Sequence, residues 1–123
     1  MYLGLLEDNI QANKASLSGS AEARALDWGD EVEEGLRGSA DLLLVSDCVY
    51  YEQSLEPLVR TMAGLTHGES TVVLGYERRP EKAEVYGAFF PLVEKLFESR
   101  VLSETVSEHG NPVYVIKMKK KKS

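Results

Sequence analysis

Two acidic residues of this chain stand directly after apolar runs that are long enough to form buried strands. Asp47 follows residues 42–46 in DLLLVSD, and Glu77 follows residues 70–76 in STVVLGYE. If both runs are parallel strands of one sheet, both acids emerge at its carboxyl edge, where crevices for small ligands form. Spacing alone supports equally well a second interpretation, in which each acid caps the turn or helix that follows it.

Tyr50 belongs to the same stretch. It lies three residues after Asp47, which places it on the loop beside that acid. A tyrosine at this position could contact a substrate, or it could be a residue packed at the rim of the sheet. The sequence leaves both possibilities open.

Several other kinds of active site are not supported. Cys48, His67 and His109 are far apart in sequence, and no pair has metal-ligand spacing, so no metal site is predicted. The chain contains no G-x-S-x-G segment for a serine nucleophile. It also contains neither G-x-G-x-x-G nor G-x-x-x-x-G-K, the glycine-rich loops that hold phosphates.

Charge and composition narrow the classes of partner and compartment. The net charge of -6 and the pI of about 5.0 argue against a general nucleic-acid-binding surface, and no nucleic-acid partner is predicted. The cationic run at residues 117–122 is interpreted as a solvated end, with a localisation or RNA-binding signal as the alternative. The single cysteine forms no intrachain disulfide, which fits a reducing compartment. No apolar run approaches the ~18 residues of a membrane span, so we predict no membrane association and a cytoplasmic, and additionally nuclear, location.

Hydrophobic periodicity predicts an α/β fold in a single domain, residues 1–123. The predicted order begins with a helix at 2–14, a short strand at 21–28, and a glycine-punctuated turn with one helical turn at 31–36. A central parallel strand at 42–46, buried on both faces, precedes a helix that Ser54 caps and that ends near 66–68. A strand at 70–76 and a helix from Pro80 to Phe97, kinked or divided at Pro91, lead to a hairpin of strands 101–106 and 113–118.

Five segments together resemble one protein family. They are LLEDNIQANK, ALDWGDEV, the D-C-V-Y signature at residues 47–50, Y-E-R-R at 76–79, and the terminal VYVIKMKKK. Their order and spacing resemble the methyltransferase-16 group of seven-β-strand protein methyltransferases, which use S-adenosyl-L-methionine (AdoMet), over essentially the whole chain. The resemblance implies the C-terminal part of a class I, Rossmann-like methyltransferase, with a parallel sheet that ends in an antiparallel strand pair. It also implies methyl transfer from AdoMet to a lysine ε-amine of a protein substrate, of the AAA ATPase or chaperone type.

The resemblance assigns roles to particular residues. Asp47 and Tyr50 would be catalytic, with Asp47 at the junction of cofactor and substrate and Tyr50 shaping the lysine channel. Trp28 would pack near the adenine, the alternative being a core tryptophan, and Ser46 would line the cofactor cleft. Tyr76 and Glu77 would join Tyr50 in binding the substrate, because aromatic rings and carboxylates attract an ammonium group. The reaction needs mainly a deprotonated amine held about 3 Å from the methyl carbon, so positioning dominates.

One departure from the family pattern concerns the cofactor. In the family, the first two strands, the glycine-rich loop and a ribose-binding acid precede the segment that corresponds to this chain. We therefore expect an N-terminally truncated methyltransferase domain with weakened AdoMet binding, and a sheet that is split, or whose edges are forced together, between the ALDW and LLLVSD strands. The competing interpretations are a non-catalytic form that binds the substrate and an unrelated α/β nucleotide-binding domain.

Overall fold

Three α-helices and four β-strands make up the part of the chain that the computed structural model describes, residues 3–46 and 51–121. Short 3-10 turns at Lys14–Ser16, Glu52–Ser54 and Pro80–Lys82 accompany them. In chain order the elements are α1 (Leu3–Asn13), β1 (Ala40–Ser46), α2 (Leu55–Leu65), β2 (Thr66–Glu77), α3 (Ala83–Leu96), β3 (Phe97–Val106) and β4 (Pro112–Lys120). Among the described residues, no helix is both long and apolar enough to cross a membrane.

The four strands form one sheet in the order β1-β2-β4-β3. β1 runs parallel to β2, with Ser46 opposite Gly75 at their carboxyl ends. β4 runs antiparallel to both β2 and β3, and Val113 lies opposite Glu77. The predicted parallel strands followed by an antiparallel pair are therefore confirmed.

One face of this sheet forms the core with α2 and α3. Alternate β2 residues Val72, Leu74 and Tyr76 are buried on that face, as the two-residue period of a strand requires. The predicted apolar stripe of α2 is buried at Leu55, Leu58, Val59 and Met62. Phe89 and Val93 of α3, together with Phe97, are fully buried. Burial of each such side chain contributes roughly 1.5–3 kcal/mol to the free energy of unfolding.

The other face of the sheet, called the open face below, is not covered by any described helix. The contrast is clearest on β1, where Leu43 and Val45 point to the core while Leu42 and Leu44 are 57% and 70% exposed. The prediction of a central strand buried on both faces is therefore wrong for the described residues, in which β1 is an edge strand. A continuous apolar run has no periodicity that would distinguish a covered face from an open one.

Two predictions for the N-terminal third also differ from the structure. Residues 21–28, which include ALDW, form no strand. The described strands make one continuous sheet, so the expected split or forced contact beside an ALDW strand does not occur. The alternation in this segment was weak, and a lone strand without a neighbour has no ladder to stabilise it. α1 forms as predicted, but none of its residues is buried, and Leu5 of its apolar face is 53% exposed. At the predicted helical turn, Arg37 N donates to the carbonyl of Glu33.

The starts and interiors of the two packed helices differ in detail from the predictions. Ser54 makes no side-chain capping bond, and α2 instead continues from the 3-10 turn that ends at Ser54. α3 is not divided at Pro91. Because Pro91 has no N–H, the carbonyl of Gly87 loses its i+4 donor, but a single missing bond does not end a helix that is packed on a core.

The lysine-rich C-terminal segment is part of the sheet. Lys117, Lys119 and Lys120 belong to β4, so the interpretation of this run as a solvated end is wrong for residues 117–120. Lys120 Nζ donates to the carbonyls of Ala63 (2.9 Å) and Thr66 (3.2 Å), at the C-terminal end of α2. A cation there satisfies carbonyl groups that have no intrahelical partner and complements the helix dipole.

Candidate functional site

The candidate site lies at the carboxyl edge of β1 and β2. Because the two strands are parallel and Ser46 pairs with Gly75, the chain leaves both strands at the same edge of the sheet. This is the edge where open α/β sheets bind ligands. Ser46 is exposed there. Asp47 and Tyr50, the two predicted catalytic residues, lie outside the described residues, and their roles stay predictions.

Glu77 ends β2 at this edge, and its carboxylate is held from two sides. Asn111 Nδ2 donates a hydrogen bond to Glu77 Oε2 over 2.8 Å, and Arg79 Nε lies 3.8 Å from the same oxygen. The hydrogen bond from Asn111 is the largest effect and holds the pKa of Glu77 below its usual value. Burial opposes it, and the charge of Arg79 adds a smaller effect in the lowering direction. Glu77 is thus an ionised anchor between β2 and the loop joining β3 to β4. Its predicted contact with a substrate is not tested by this arrangement.

Tyr76 lies beneath the edge, on the core face. It is 8% exposed, and its ring packs against the rings of Tyr86, Tyr114 and Phe90, with centroids 4.9, 5.5 and 5.8 Å away. Burial raises the pKa of the Tyr76 hydroxyl, while the nearby Arg78 acts in the opposite direction. The ring therefore supports the edge from below, and its predicted substrate contact stays a prediction.

Tyr86 ties α3 to the same edge. Its hydroxyl donates a 2.6 Å hydrogen bond to the carbonyl of Glu77. The end of β2 is consequently fixed both at the Glu77 backbone and at its side chain. A rigid support of this kind is what a site needs if it works by positioning.

Trp28 lies beside the first turns of α2 and is 41% exposed. It borders a hollow of about 390 Å³ that is also lined by Leu26, Asp27, Gln53, Ser54 and Pro57. Gly29 N donates to Thr61 Oγ1 over 2.9 Å, which holds the tryptophan segment against the helix. The alternative of a buried core tryptophan is therefore wrong. An accessible indole beside polar groups can stack against a flat heteroaromatic ring.

Sequence reasoning did not single out Tyr51. Its ring is 61% exposed, and Lys82 Nζ lies 5.3 Å from the ring centroid. This cation–π contact joins the chain that follows β1 to the chain that follows β2. The paired tyrosines at residues 50 and 51 were the available signal. Asn111, the partner of Glu77, lies between the two strands of the predicted hairpin, 101–106 and 113–118, and no sequence pattern indicated its contact with Glu77.

The described ranges, 3–46 and 51–121, contain no group of three or more His, Cys, Asp or Glu residues arranged to hold a metal ion. What the edge offers is a carboxylate, several aromatic rings and cations at the ends of parallel strands. Such groups bind and orient a cationic or flat aromatic ligand.

Comparison with known proteins identifies the family. The family model described as lysine methyltransferase matches residues 1–96 of the chain. The chain belongs to this lysine methyltransferase family. The matched residues include β1, α2, β2 and all of α3, and so both strands that form the candidate site.

Curated relatives have modest sequence identity. The chain is 26% identical over 120 residues to mouse protein N-lysine methyltransferase METTL21A, covering 97% of this chain and 52% of that protein. It is 30% identical over 104 residues to protein-lysine N-methyltransferase EFM6 of Saccharomyces cerevisiae, covering 76% and 40%. A UPF0665 family protein of Schizosaccharomyces pombe is 25% identical over 118 residues, covering 94% and 33%. The chain thus spans between a third and about half of the length of these relatives.

Among solved structures, the precorrin-6y C5,15-methyltransferase of Geobacter metallireducens GS-15 is similar with a TM-score of 0.48 and 18% sequence identity. That alignment covers 98% of this chain and 62% of the other.

Proposed function

We propose that this chain serves in AdoMet-dependent methylation of a lysine ε-amine on a protein substrate. The observation that carries the proposal is the match of residues 1–96 to the lysine methyltransferase family. The parallel ends of β1 and β2, with Ser46 opposite Gly75, support it, because in the sequence the D-C-V-Y segment follows β1 and the Y-E-R-R segment begins at the end of β2.

The residues at this edge suit a reaction that depends on positioning. Bound AdoMet supplies a methyl group on a sulfonium sulfur, so that one N–C bond forms as one C–S bond breaks. In the proposed roles, Asp47 and Tyr50 orient the lysine nitrogen, and Glu77 contributes negative charge that attracts the incoming ammonium. The ammonium must lose a proton before its nitrogen can attack, and an adjacent carboxylate such as that of Asp47 can accept a hydrogen bond from it.

In the proposed roles, the hollow beside Trp28 would receive one end of the cofactor. An exposed indole bordered by Asp27, Gln53 and Ser54 offers both a stacking surface and hydrogen-bonding groups to an adenine. Ser46 and Asp47 would contact the cofactor where β1 ends. No segment of the 123 residues has the glycine pattern that would let a backbone approach the rest of AdoMet closely. We therefore expect the polypeptide to bind AdoMet weakly or not at all, and micromolar affinity in isothermal titration would contradict this.

The second candidate function is a non-catalytic one. In it, the chain binds the substrate protein without methylating it. A pull-down with an AAA ATPase or a chaperone, the proposed substrate classes, combined with transfer of radiolabelled methyl from AdoMet, separates the two candidates. Binding with transfer supports the enzyme, and binding without transfer supports the non-catalytic form.

A matched pair of variants sharpens the transfer assay. If Asp47 is catalytic, Asp47→Asn lowers methyl transfer at least tenfold, because the substitution keeps the shape of the side chain but removes its charge. Glu56→Gln, an exposed position on α2, makes the same change of charge and should leave transfer unchanged. If the unmodified chain transfers methyl measurably, equal transfer by Asp47→Asn would remove Asp47 from the mechanism.

We also propose that the protein works in the cytoplasm and the nucleus. The single cysteine supports this, since the chain cannot form the intrachain disulfides common in exported domains. Microscopy of the tagged chain would test the location.

A further inference from the structure

Three cations lie together on the open face of the sheet, on the two antiparallel strands. Arg100 of β3 stands directly opposite Lys117 of β4, and Lys119 lies two residues further along the same strand. Residues two apart on a strand share a face, so the three side chains project from the same side. We call Arg100, Lys117 and Lys119 the basic patch. Together with Glu98 and Ser99 it lines a shallow hollow of about 270 Å³.

The charges of this patch are poorly compensated. Neither Arg100 nor Lys117 forms an ion pair with a described residue. The two like charges stand directly opposite one another, an arrangement that destabilises a strand pair. Lys119 donates to the carbonyl of Glu69, which leaves its positive charge unneutralised. Glu98 stands opposite Lys119 in the register, but it forms no ion pair in the described part of the chain. The patch is therefore positively charged although the chain as a whole has a net charge of -6.

The basic patch is separate from the candidate functional site. Along β4, Lys117 lies four residues from Val113, the partner of Glu77. At the rise of an antiparallel strand this is about 13 Å. A ligand of the patch therefore need not enter the carboxyl edge, and the patch has no part in the proposed methyl transfer.

We propose that the basic patch binds an acidic segment of a partner polypeptide. The arginine presents a planar fork that pairs with carboxylates in two parallel hydrogen bonds, and the two lysines add point charges beside it. The hollow is large enough for one or two carboxylate side chains. β3 borders the patch as an exposed edge strand, with every residue after Phe97 exposed, so an extended peptide can approach it from the side.

Charge complementarity favours a peptide over a nucleic acid. Three cations release few counterions from a phosphate backbone, and the acidic remainder of the chain repels a long polyanion. A short acidic peptide matches the size of the patch, and because it carries fewer negative charges it is repelled less by the rest of the chain. We therefore expect the patch to bind an acidic peptide more tightly than a nucleic acid.

The test is a titration of the 123-residue chain with a fluorescently labelled peptide rich in Asp and Glu, followed by anisotropy at low and high salt. We expect binding at low salt that weakens as salt is raised. Arg100→Glu and Lys117→Glu should each weaken binding at least tenfold. Lys95→Glu, an exposed position on α3 across the sheet, changes the net charge equally and should weaken binding less than twofold.

The charge-reversed variants are expected to fold. A glutamate at position 100 would face Lys117 and replace a repulsive pair by an attractive one, so Arg100→Glu should raise the urea midpoint. Absence of peptide binding at low salt, an equal loss in Lys95→Glu, or tighter binding of an oligonucleotide of the same charge would each overturn the proposal.

Discussion

The side-chain amide of Asn111 donates a 2.8 Å hydrogen bond to the carboxylate of Glu77 and so joins the loop between β3 and β4 to the end of β2. The two residues are 34 positions apart in the chain. The bond favours the ionised form of Glu77, and its pKa in the folded protein is therefore lower than in the unfolded chain. The same residue that ends the candidate site thus also connects two parts of the sheet.

This bond makes part of the stability depend on pH. A group whose folded pKa is lowered adds stability above its unfolded pKa, ordinarily 4.5 for glutamate, and that stability is lost as the pH falls through the lower folded value. We expect Glu77→Gln to be less stable than the unmodified protein at neutral pH and to lose less stability on acidification. Urea denaturation at a series of pH values measures both effects. Glu34→Gln, at an exposed position, should leave the curve unchanged, and parallel curves for Glu77→Gln and the unmodified protein would contradict the role of Glu77.

Phe89 tests the packing of α3 on the sheet. Its side chain is fully buried, so Phe89→Ala removes packed apolar area and leaves a cavity, with an expected loss of about 3–5 kcal/mol in the free energy of unfolding. Leu44→Ala, which removes a side chain that is 70% exposed on the open face, should cost less than about 1 kcal/mol. Urea denaturation midpoints at constant slope give both values. Similar costs at the two positions would mean that the open face is covered in solution.

Gly29 tests the hold of the Trp28 segment on α2. Its φ is +90°, and an added Cβ would lie 2.9 Å from Pro57 Cβ, so Gly29→Ala introduces both backbone strain and a clash. We expect a loss of about 1–3 kcal/mol and a shift of Trp28 fluorescence toward that of a solvated indole. Gly19→Ala, where nothing lies within 4 Å of the added carbon, is the matched control and should leave the fluorescence unchanged. An unchanged spectrum in Gly29→Ala would show that the glycine does not position Trp28.

Lys120 tests the contact between β4 and the end of α2. Lys120→Met keeps an unbranched apolar side chain, one atom shorter, but removes the donor to the carbonyls of Ala63 and Thr66, with an expected cost of about 0.5–1.5 kcal/mol. Lys117→Met, in the same strand but on the open face, removes one member of a like-charged pair and should not destabilise the protein. Thermal denaturation of the two variants side by side is sufficient. If both variants lose the same stability, the cost is one of charge in general and not of the Lys120 bonds.

The elements of the fold that the sequence predicted well are those with a clear period. The apolar stripe of α2 at Leu55, Leu58, Val59 and Met62 repeats at helical spacing, and the structure buries all four residues. The hairpin of β3 and β4 was marked by Gly110 and Pro112 between two β-like runs. The open face of β1 could not be predicted, because Leu42–Val45 is apolar throughout and whether a helix covers the second face depends on residues elsewhere in the chain.

The candidate site was predicted only in its placement. The parallel pairing of β1 and β2 follows from two apolar runs separated by a helix, and this placed Ser46 and Glu77 at one edge. The Glu77 carboxylate is held by Asn111, which lies in a distant loop. No local sequence pattern predicts a contact between residues 34 positions apart. Tyr76 lies two residues after Leu74 on β2, so the sequence indicates that both face the same side of the sheet. The rings that surround Tyr76 could not be predicted, because they depend on how α3 packs against the sheet.

The incorporation of Lys117, Lys119 and Lys120 into β4 changes how that cationic run meets other molecules. An import receptor that binds a run of lysines as an extended peptide could bind these residues only after β4 had separated from the sheet. Amine-selective reagents such as acetic anhydride should for the same reason modify Lys120 more slowly than the exposed Lys95, since its nitrogen is already engaged by two carbonyl oxygens.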